Sequence, residues 1–263
     1  MKYLIQTIFL LLPLLLPAQA EHRITVTGKV IEFEEIDDLS IIGTDEKDLR
    51  ISRRGGSKEV DEKMKGMRKI SADGKVDNTG FGLSAEELDG RVVISQVGKN
   101  NGTIIVHVPN SASVKVTQST YRGDDLEVDN FKGELDVSMM YHDVNLTNVY
   151  GPLAINTVYG GIEATFSAGP PTEDLRLHST YSTVDVSLPQ TTPATLRLST
   201  GYGAMYTDFD LDVKANMPKS DATVRRDRDD SGSKNSGLTG TINGGGILIN
   251  LRATYKDIYV RKL

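Results

Sequence analysis

Along this chain, apolar and polar positions follow one phrase that returns with constant internal spacing. Leu135-x-Val137-x-x-x-Tyr141-x-x-Val144-x-Leu146 is repeated as Leu153-x-Ile155-x-x-x-Tyr159-x-x-Ile162-x-Ala164. It returns as Leu175, Leu177, Tyr181, Val184, Val186, as Leu196, Leu198, Tyr202, Met205, Thr207, and last as Ile249, Leu251, Tyr255, Ile258, Val260. Alternation within each pair places both apolar side chains on one face of a strand. Between the pairs lie Ser138 to Asp143, too many residues for a two-residue hairpin. The pattern predicts two short strands and a turn per copy, with equivalent strands about 4.8 Å apart and in parallel register, so that apolar positions form continuous interior columns. The expected fold is all-β, a single-stranded parallel β-helix (β-solenoid) with coils of roughly 18–22 residues.

The rest of the chain fits that class. Alternating runs occur at Ile24 to Gly28, Leu39 to Ile42, Leu49 to Ile51, Val92 to Ile94, Ile104 to Val108 and Val114 to Val116, each closed by Gly, Asn, Asp or Pro. The segment Glu59 to Lys69 has a helix-friendly composition but no continuous apolar stripe. Gly133 and Gly151 recur at one place in the repeat, where a corner would crowd a side chain or need a positive φ. Ala168-Gly169-Pro170-Pro171 and Ser187 to Pro193 lengthen two copies as surface loops. Lys219 to Gly237 is poor in apolar residues and reads as a mobile charged insertion. The chain returns to order at Gly244-Gly245-Gly246, and the last copy closes the stack in sequence order. Arg261 and Lys262 then put charge on an exposed terminal edge, a device against end-to-end pairing.

The chain begins with Met1-Lys2-Tyr3, an apolar run from Leu4 to Leu16, and Pro17-Ala18-Gln19-Ala20, the layout of a secretory signal peptide cut after Ala20. The organisation expected is therefore a signal peptide over 1–20 and a solenoid domain over 21–263, with no membrane span in the mature chain. Removing the leader, which carries Lys2, moves the formal charge from −6 to −7. That balance argues against nucleic acid as a partner. The basic cluster Arg225-Arg226-Asp227-Arg228 is diluted by aspartate and reads as a solvated loop. With Cys 0, there is neither a disulfide framework nor an acylation site.

Candidate chemistry is sparse. His22, His107, His142 and His178 fall at unrelated places in the pattern, so no metal or histidine-based site is expected. Glu127, Asn145, Glu163 and Asp185 occupy one outward position in successive copies; such an acidic column either holds calcium or is a solvated face. The outward positions Asp136, Ala154, Arg176 and Arg197 place two arginines on neighbouring copies without an acid cluster beside them, which is what a polysaccharide lyase or hydrolase on this scaffold would need. No catalytic, cofactor or metal residue is assigned. Tyr141, Tyr159, Tyr181, Tyr202 and Tyr255 recur at one position and should form an aromatic ladder. The ladder either stacks against sugar rings or braces the corners, and its recurrence through the whole stack favours the brace.

Three stretches resemble the DUF4097 family of secreted bacterial proteins, a group labelled as adhesins. They are Asn130-Phe131-Lys132-Gly133-Glu134-Leu135-Asp136-Val137; the strand-Pro-x-x-Ala phrase from Val106 to Val116, echoed from Val186 to Leu198; and the closing Gly244 to Leu251 running into Asp257-Ile258-Tyr259-Val260. The likeness spans about Ile36 to the end, and departs from it where members carry Asn-Gly-Asp and this chain carries Thr180-Tyr181-Ser182-Thr183. It implies a non-enzymatic extracytoplasmic β-solenoid, periplasmic, surface-bound or secreted. An envelope polysaccharide or protein would be its partner, and self-association through the end coils is open to it.

Overall fold

The computed structural model describes residues 20–26, 28–56, 62–64, 66–99, 102–214 and 236–263. The leader expected up to Gln19, the Arg225–Arg228 cluster and the charged insertion expected from Lys219, as far as residue 235, lie outside the described residues. The chain is all-β. Its strands are β1 (His22–Thr25), β2 (Val30–Glu34), β3 (Leu39–Thr44), β4 (Asp48–Arg54), β5 (Leu83–Leu88), β6 (Arg91–Gln96) and β7 (Thr103–Pro109). There follow β8 (Ser113–Gln118), β9 (Leu126–Asp129), β10 (Leu135–Met139), β11 (Val144–Thr147), β12 (Leu153–Thr157), β13 (Ile162–Thr165) and β14 (Leu175–Ser179). The last are β15 (Val184–Leu188), β16 (Ala194–Thr200), β17 (Met205–Thr207), β18 (Asp212–Lys214), β19 (Ser236–Ile242), β20 (Ile247–Ala253) and β21 (Ile258–Lys262). Ser236 and Gly237, expected at the end of the insertion, thus belong to a strand.

The first pair of each repeat lies in one sheet and the second pair in the other. One sheet runs β1-β4-β7-β3-β9-β11-β13-β15-β21-β17, the other β18-β19-β16-β20-β14-β12-β10-β8-β2-β6-β5. Parallel register aligns Leu135, Leu153, Leu175, Ile249 and Leu196, and two residues on Val137, Ile155, Leu177, Leu251 and Leu198. Val144, Ile162, Val184, Ile258 and Met205 align across the other sheet. All of these except Met205 are buried in one apolar core, with Met205 packed against it.

Two features depart from the sequence-based expectation. The sheets are parallel-rich but mixed: β1–β4, β4–β7 and β5–β6 pair antiparallel at one end, β16–β19 and β18–β19 at the other. Antiparallel strands therefore supply three of the four edges, β1, β5 and β18, while β17 closes the fourth in parallel. Nor do the copies stack in sequence order. The last, β20 with β21, is inserted between β14 with β15 and β16 with β17. Arg261 and Lys262 consequently lie on an interior strand of their sheet, not at an exposed edge. The first layer is tucked in the same way, β2 between β8 and β6 and β3 between β9 and β7.

The glycine run explains how the last copy enters. β19 and β20 flank β16 on opposite sides, so the link between them must cross the start of β16. Asn243, Gly244 and Gly245 turn with φ of 49°, 85° and 83°. The Asn243 amide donates to the carbonyls of Gln190 and Thr192 at 3.0 and 2.8 Å. A Cβ on Gly246 would stand 2.5 Å from the Pro193 carbonyl oxygen. Only glycine passes there.

Elsewhere crowding makes glycine obligatory at the corners. A Cβ on Gly133 would lie 2.0 Å from the Ala112 carbonyl oxygen, and one on Gly151 1.9 Å from that of Gly133. The positive φ at these corners belongs instead to Asn130 and Asn148, both at 54°, a region that Asn tolerates better than most residues. Gly151→Ala is expected to lower stability by more than about 1 kcal/mol because backbone must move. Leu251→Ala is expected to cost about 2–5 kcal/mol, as much as Leu177→Ala, since both lie between filled layers. Urea unfolding checks both; a markedly milder Leu251→Ala would mean that the last copy sits at the end of the stack.

Candidate functional site

The tyrosine position follows directly from the strand register. Each first-sheet-bound chain leaves β10, β12, β14, β20 or β16 and passes one residue to the tyrosine, and the parallel hydrogen bonding continues through the turn. The Tyr159 N–H donates to the Met140 carbonyl at 2.8 Å, that of Tyr181 to Val158 at 2.8 Å, that of Tyr255 to Thr180 at 3.0 Å, and that of Tyr202 to Thr254 at 3.0 Å. Each acceptor immediately precedes the neighbouring tyrosine, so the rings are held one strand spacing apart.

Beneath them, hydroxyls at three of the five equivalent interior positions, with Met139 and Ala253 at the other two, fix the same corner. Thr157, Ser179 and Thr200 are buried and face inward where neighbouring columns are apolar. Thr157 Oγ1 and Ser179 Oγ both donate to the Gly160 carbonyl, at 2.6 and 2.8 Å. Thr200 Oγ1 donates to Lys256 at 3.2 Å and accepts from the Gly203 N–H at 2.9 Å. On the solvent side, Asp143 accepts from Gly161 N–H at 2.6 Å and Asp257 from Ala204 N–H at 2.7 Å. Buried hydroxyls left without such partners would be costly, so the corner conformation and these hydroxyls depend on each other.

All five sequence-identified tyrosines come together. The ring order is Tyr141, Tyr159, Tyr181, Tyr255, Tyr202, with centroid separations of 5.3, 5.2, 4.8 and 4.9 Å and interplanar angles of 18°, 12°, 9° and 3°. Tyr255 stands between Tyr181 and Tyr202 because its layer is tucked inward. Tyr121 abuts the far end edge-on at 6.5 Å and 90°. The spacing rule missed Tyr121 because the first-pair positions Val114 and Val116 call for a tyrosine at position 120, which is Thr120. That one-residue offset also explains its edge-on pose.

This geometry decides what the ladder can do. Stacked rings cover one another's faces and present edges and hydroxyls outward, whereas a sugar ring packs on an aromatic face. Ring faces are left open at the two ends of the stack, on Tyr202, 61% exposed, and on the edge-on Tyr121, 78% exposed. The stacking geometry favours a brace with a polar rim over a platform for sugar rings. A shorter second ladder, Tyr206 and Tyr259 at 5.2 Å and 12°, occupies outward strand positions on the other sheet. Arg261 lies over Tyr259 at 5.1 Å and pairs with Asp185 at 2.5 Å.

The acidic column is present in register: Glu127, Asn145, Glu163 and Asp185 are successive partners. Arg54 approaches Glu127 at 3.9 Å at one end and Arg261 pairs with Asp185 at the other. Burial pushes the Asp185 carboxyl above the usual range despite Arg261, with Glu163 adding to the rise. Desolvation of that carboxylate therefore outweighs the short ion pair. Among the described residues no three acidic or histidine side chains converge as metal ligands. The histidines stay apart. His107 and His178 are both held below the ordinary value, chiefly by burial and then by Arg50 and Arg252 respectively.

The two arginines read as neighbours are not adjacent: Asn250 stands between Arg176 and Arg197. Asp136 lies two strands from Arg176, beyond Ala154. Arg252, in the copy that sequence order placed at the end of the stack, is brought beside them.

No family model matches the chain, and no curated protein matches it. Two solved structures align with it. A "putative cell adhesion protein" from Clostridium sporogenes ATCC 15579 is 11% identical, covers 93% of this chain and 100% of its own, and has a TM-score of 0.46. A "putative adhesin" from Bacteroides fragilis NCTC 9343 is 11% identical over 94% of this chain and 98% of its own, with a TM-score of 0.33. At these values neither likeness carries an argument about this chain.

If the ladder braces the corners, Tyr181→Ala, which removes two stacked pairs, is expected to cost about 1–3 kcal/mol beyond its loss of buried area, and Tyr202→Ala about half that. Equilibrium unfolding of both variants checks the ratio; equal and negligible losses would show that the stack contributes nothing to stability.

Proposed function

We propose that the chain is an exported, non-enzymatic β-solenoid that binds a component of the bacterial envelope, polysaccharide or protein, as its resemblance to the DUF4097 family implies. The observation that carries this reading is the in-register repetition of outward residues across two broad sheet faces: such columns recognise an extended partner better than a small substrate. Export rests on the Met1–Ala20 leader. The alternative of a polysaccharide lyase or hydrolase loses the adjacent arginine pair, because Asn250 separates Arg176 from Arg197, but it keeps one groove in which Arg176 faces Glu134, Asp136, Glu173 and Asp174. Association of copies through the end layers is the weaker mode, because the edge strands β1, β17 and β18 have only 4, 3 and 3 residues, and the fourth edge, β5, with 6, carries exposed Glu86 and Glu87.

The mature protein is expected to begin at Glu21, to bind isolated envelopes saturably, and to leave a panel of polysaccharides uncleaved. N-terminal sequencing, sedimentation with envelopes, and reducing-end and unsaturated-product assays test these points together. Turnover abolished by Arg176→Ala would replace the binding reading with the enzymatic one; absence of saturable binding would remove it.

A further inference from the structure

We propose that the outward face of β14, β20 and β16 is an anion-binding surface for an acidic polysaccharide of the uronate type. The proposal rests on the binding reading above and narrows it. Register places Arg176, Asn250 and Arg197 in one column across the three strands, and His178, Arg252 and Ser199 in the next outward column, two residues further along. Alternation along a strand puts both columns on the same face. Arg176, Arg197 and Arg252 are all exposed. Two strand spacings make the span from Arg176 to Arg197 about 10 Å.

Among the described residues no ion pair fixes their charge, although Arg176 shares a groove with the carboxylates of Glu134, Asp136, Glu173 and Asp174. Arg23, Arg50, Arg54, Arg91, Arg122 and Arg261 each lie within 4.0 Å of a carboxylate. Arg176, Arg197 and Arg252 have no carboxylate that close among the described residues. Like charges on neighbouring strands repel, and this cluster is held together by register in a chain whose formal charge is −6. An anionic ligand offsets that cost.

The chemistry of the patch selects the ligand. Guanidinium groups bind carboxylates in a bidentate fork, and Asn250, Asn156 and Ser199 beside them can bond sugar hydroxyls. The arginines are spread over a sheet face, so a small anion would meet one at a time, whereas a polymer bearing a carboxylate on each sugar meets all three. The surface also has an end: Arg176 itself lines a groove with Glu134, Asp136, Glu173 and Asp174, and these carboxylates repel an anion that extends toward β12 and β10. The polymer is therefore confined to the β14–β16 side.

The test is binding of the mature protein to polygalacturonate, with dextran as neutral polymer and single-stranded DNA as a phosphate polyanion. The wild type should bind polygalacturonate, weaken steeply as salt rises, and ignore dextran. Each of Arg176→Gln, Arg197→Gln and Arg252→Gln should weaken binding about tenfold, the loss of one charge-assisted hydrogen-bonding group. Arg252→Lys should fall between, and Lys132→Gln, a cation lost from an exposed corner elsewhere, should change nothing. Circular dichroism of the variants should be unchanged, since these side chains are outside the core. No binding to polygalacturonate, equal binding to dextran or DNA, or binding that survives the triple arginine variant would each overturn the proposal. If envelope binding persists in those cases, only this inference falls; if envelope binding is also absent, the broader reading falls with it.

Discussion

Parallel in-register pairing of equivalent strands is the constraint on which the rest of this structure depends. Because each copy's backbone sits one hydrogen-bonded spacing from the next, every position in the phrase becomes a column. Apolar positions become continuous core, Thr157 and Ser179 become neighbouring hydroxyls with Thr200 beyond Ala253, and the tyrosines become a stack. None of these is stable alone: the hydroxyls need the corner carbonyls, the rings need the spacing, and the spacing needs the core. With no disulfide available in a chain without cysteine, this mutual support has to hold the fold.

A stack of equivalent layers has weak points at its ends, where a layer is paired on one side only. Here both terminal copies are moved one layer inward, and antiparallel strands take three of the four outermost places, with the three-residue parallel β17 in the fourth. The cost is a crossing link, and the chain meets it with Asn243, Gly244, Gly245 and Gly246. Tucking also sets the surface. It inserts Tyr255 into the ladder and delivers Asn250 and Arg252 between residues that would otherwise be neighbours.

The phrase made the register legible, since spacing alone says which residues are equivalent, and with it the tyrosine ladder and the acidic column. It could not give layer order, because equivalent copies fit one another in any sequence. From that one ambiguity come the misplaced Arg261 and Lys262, the presumed contact of Arg176 with Arg197, and the overlooked Arg252. The antiparallel ends were hidden for a different reason: β19 contains Gly237 and Gly240 and lacks the repeated phrase, so its strand character comes from pairing with β16 and not from its own pattern. Tyr206 and Tyr259 were missed because they sit on strands as single outward residues, with no spacing signal until register joins them.

Layer order is also the point at which the account is most exposed to a direct check. The native chain has no cysteine to interfere, and neighbouring strand positions lie at a separation that a disulfide spans, whereas positions two strands apart do not. The decisive measurement is disulfide formation under mild oxidation in two double variants, Arg176→Cys with Asn250→Cys and Arg176→Cys with Arg197→Cys. The tucked order predicts a crosslink in the first and none in the second; a crosslink between 176 and 197 would contradict it and restore a stack built in sequence order.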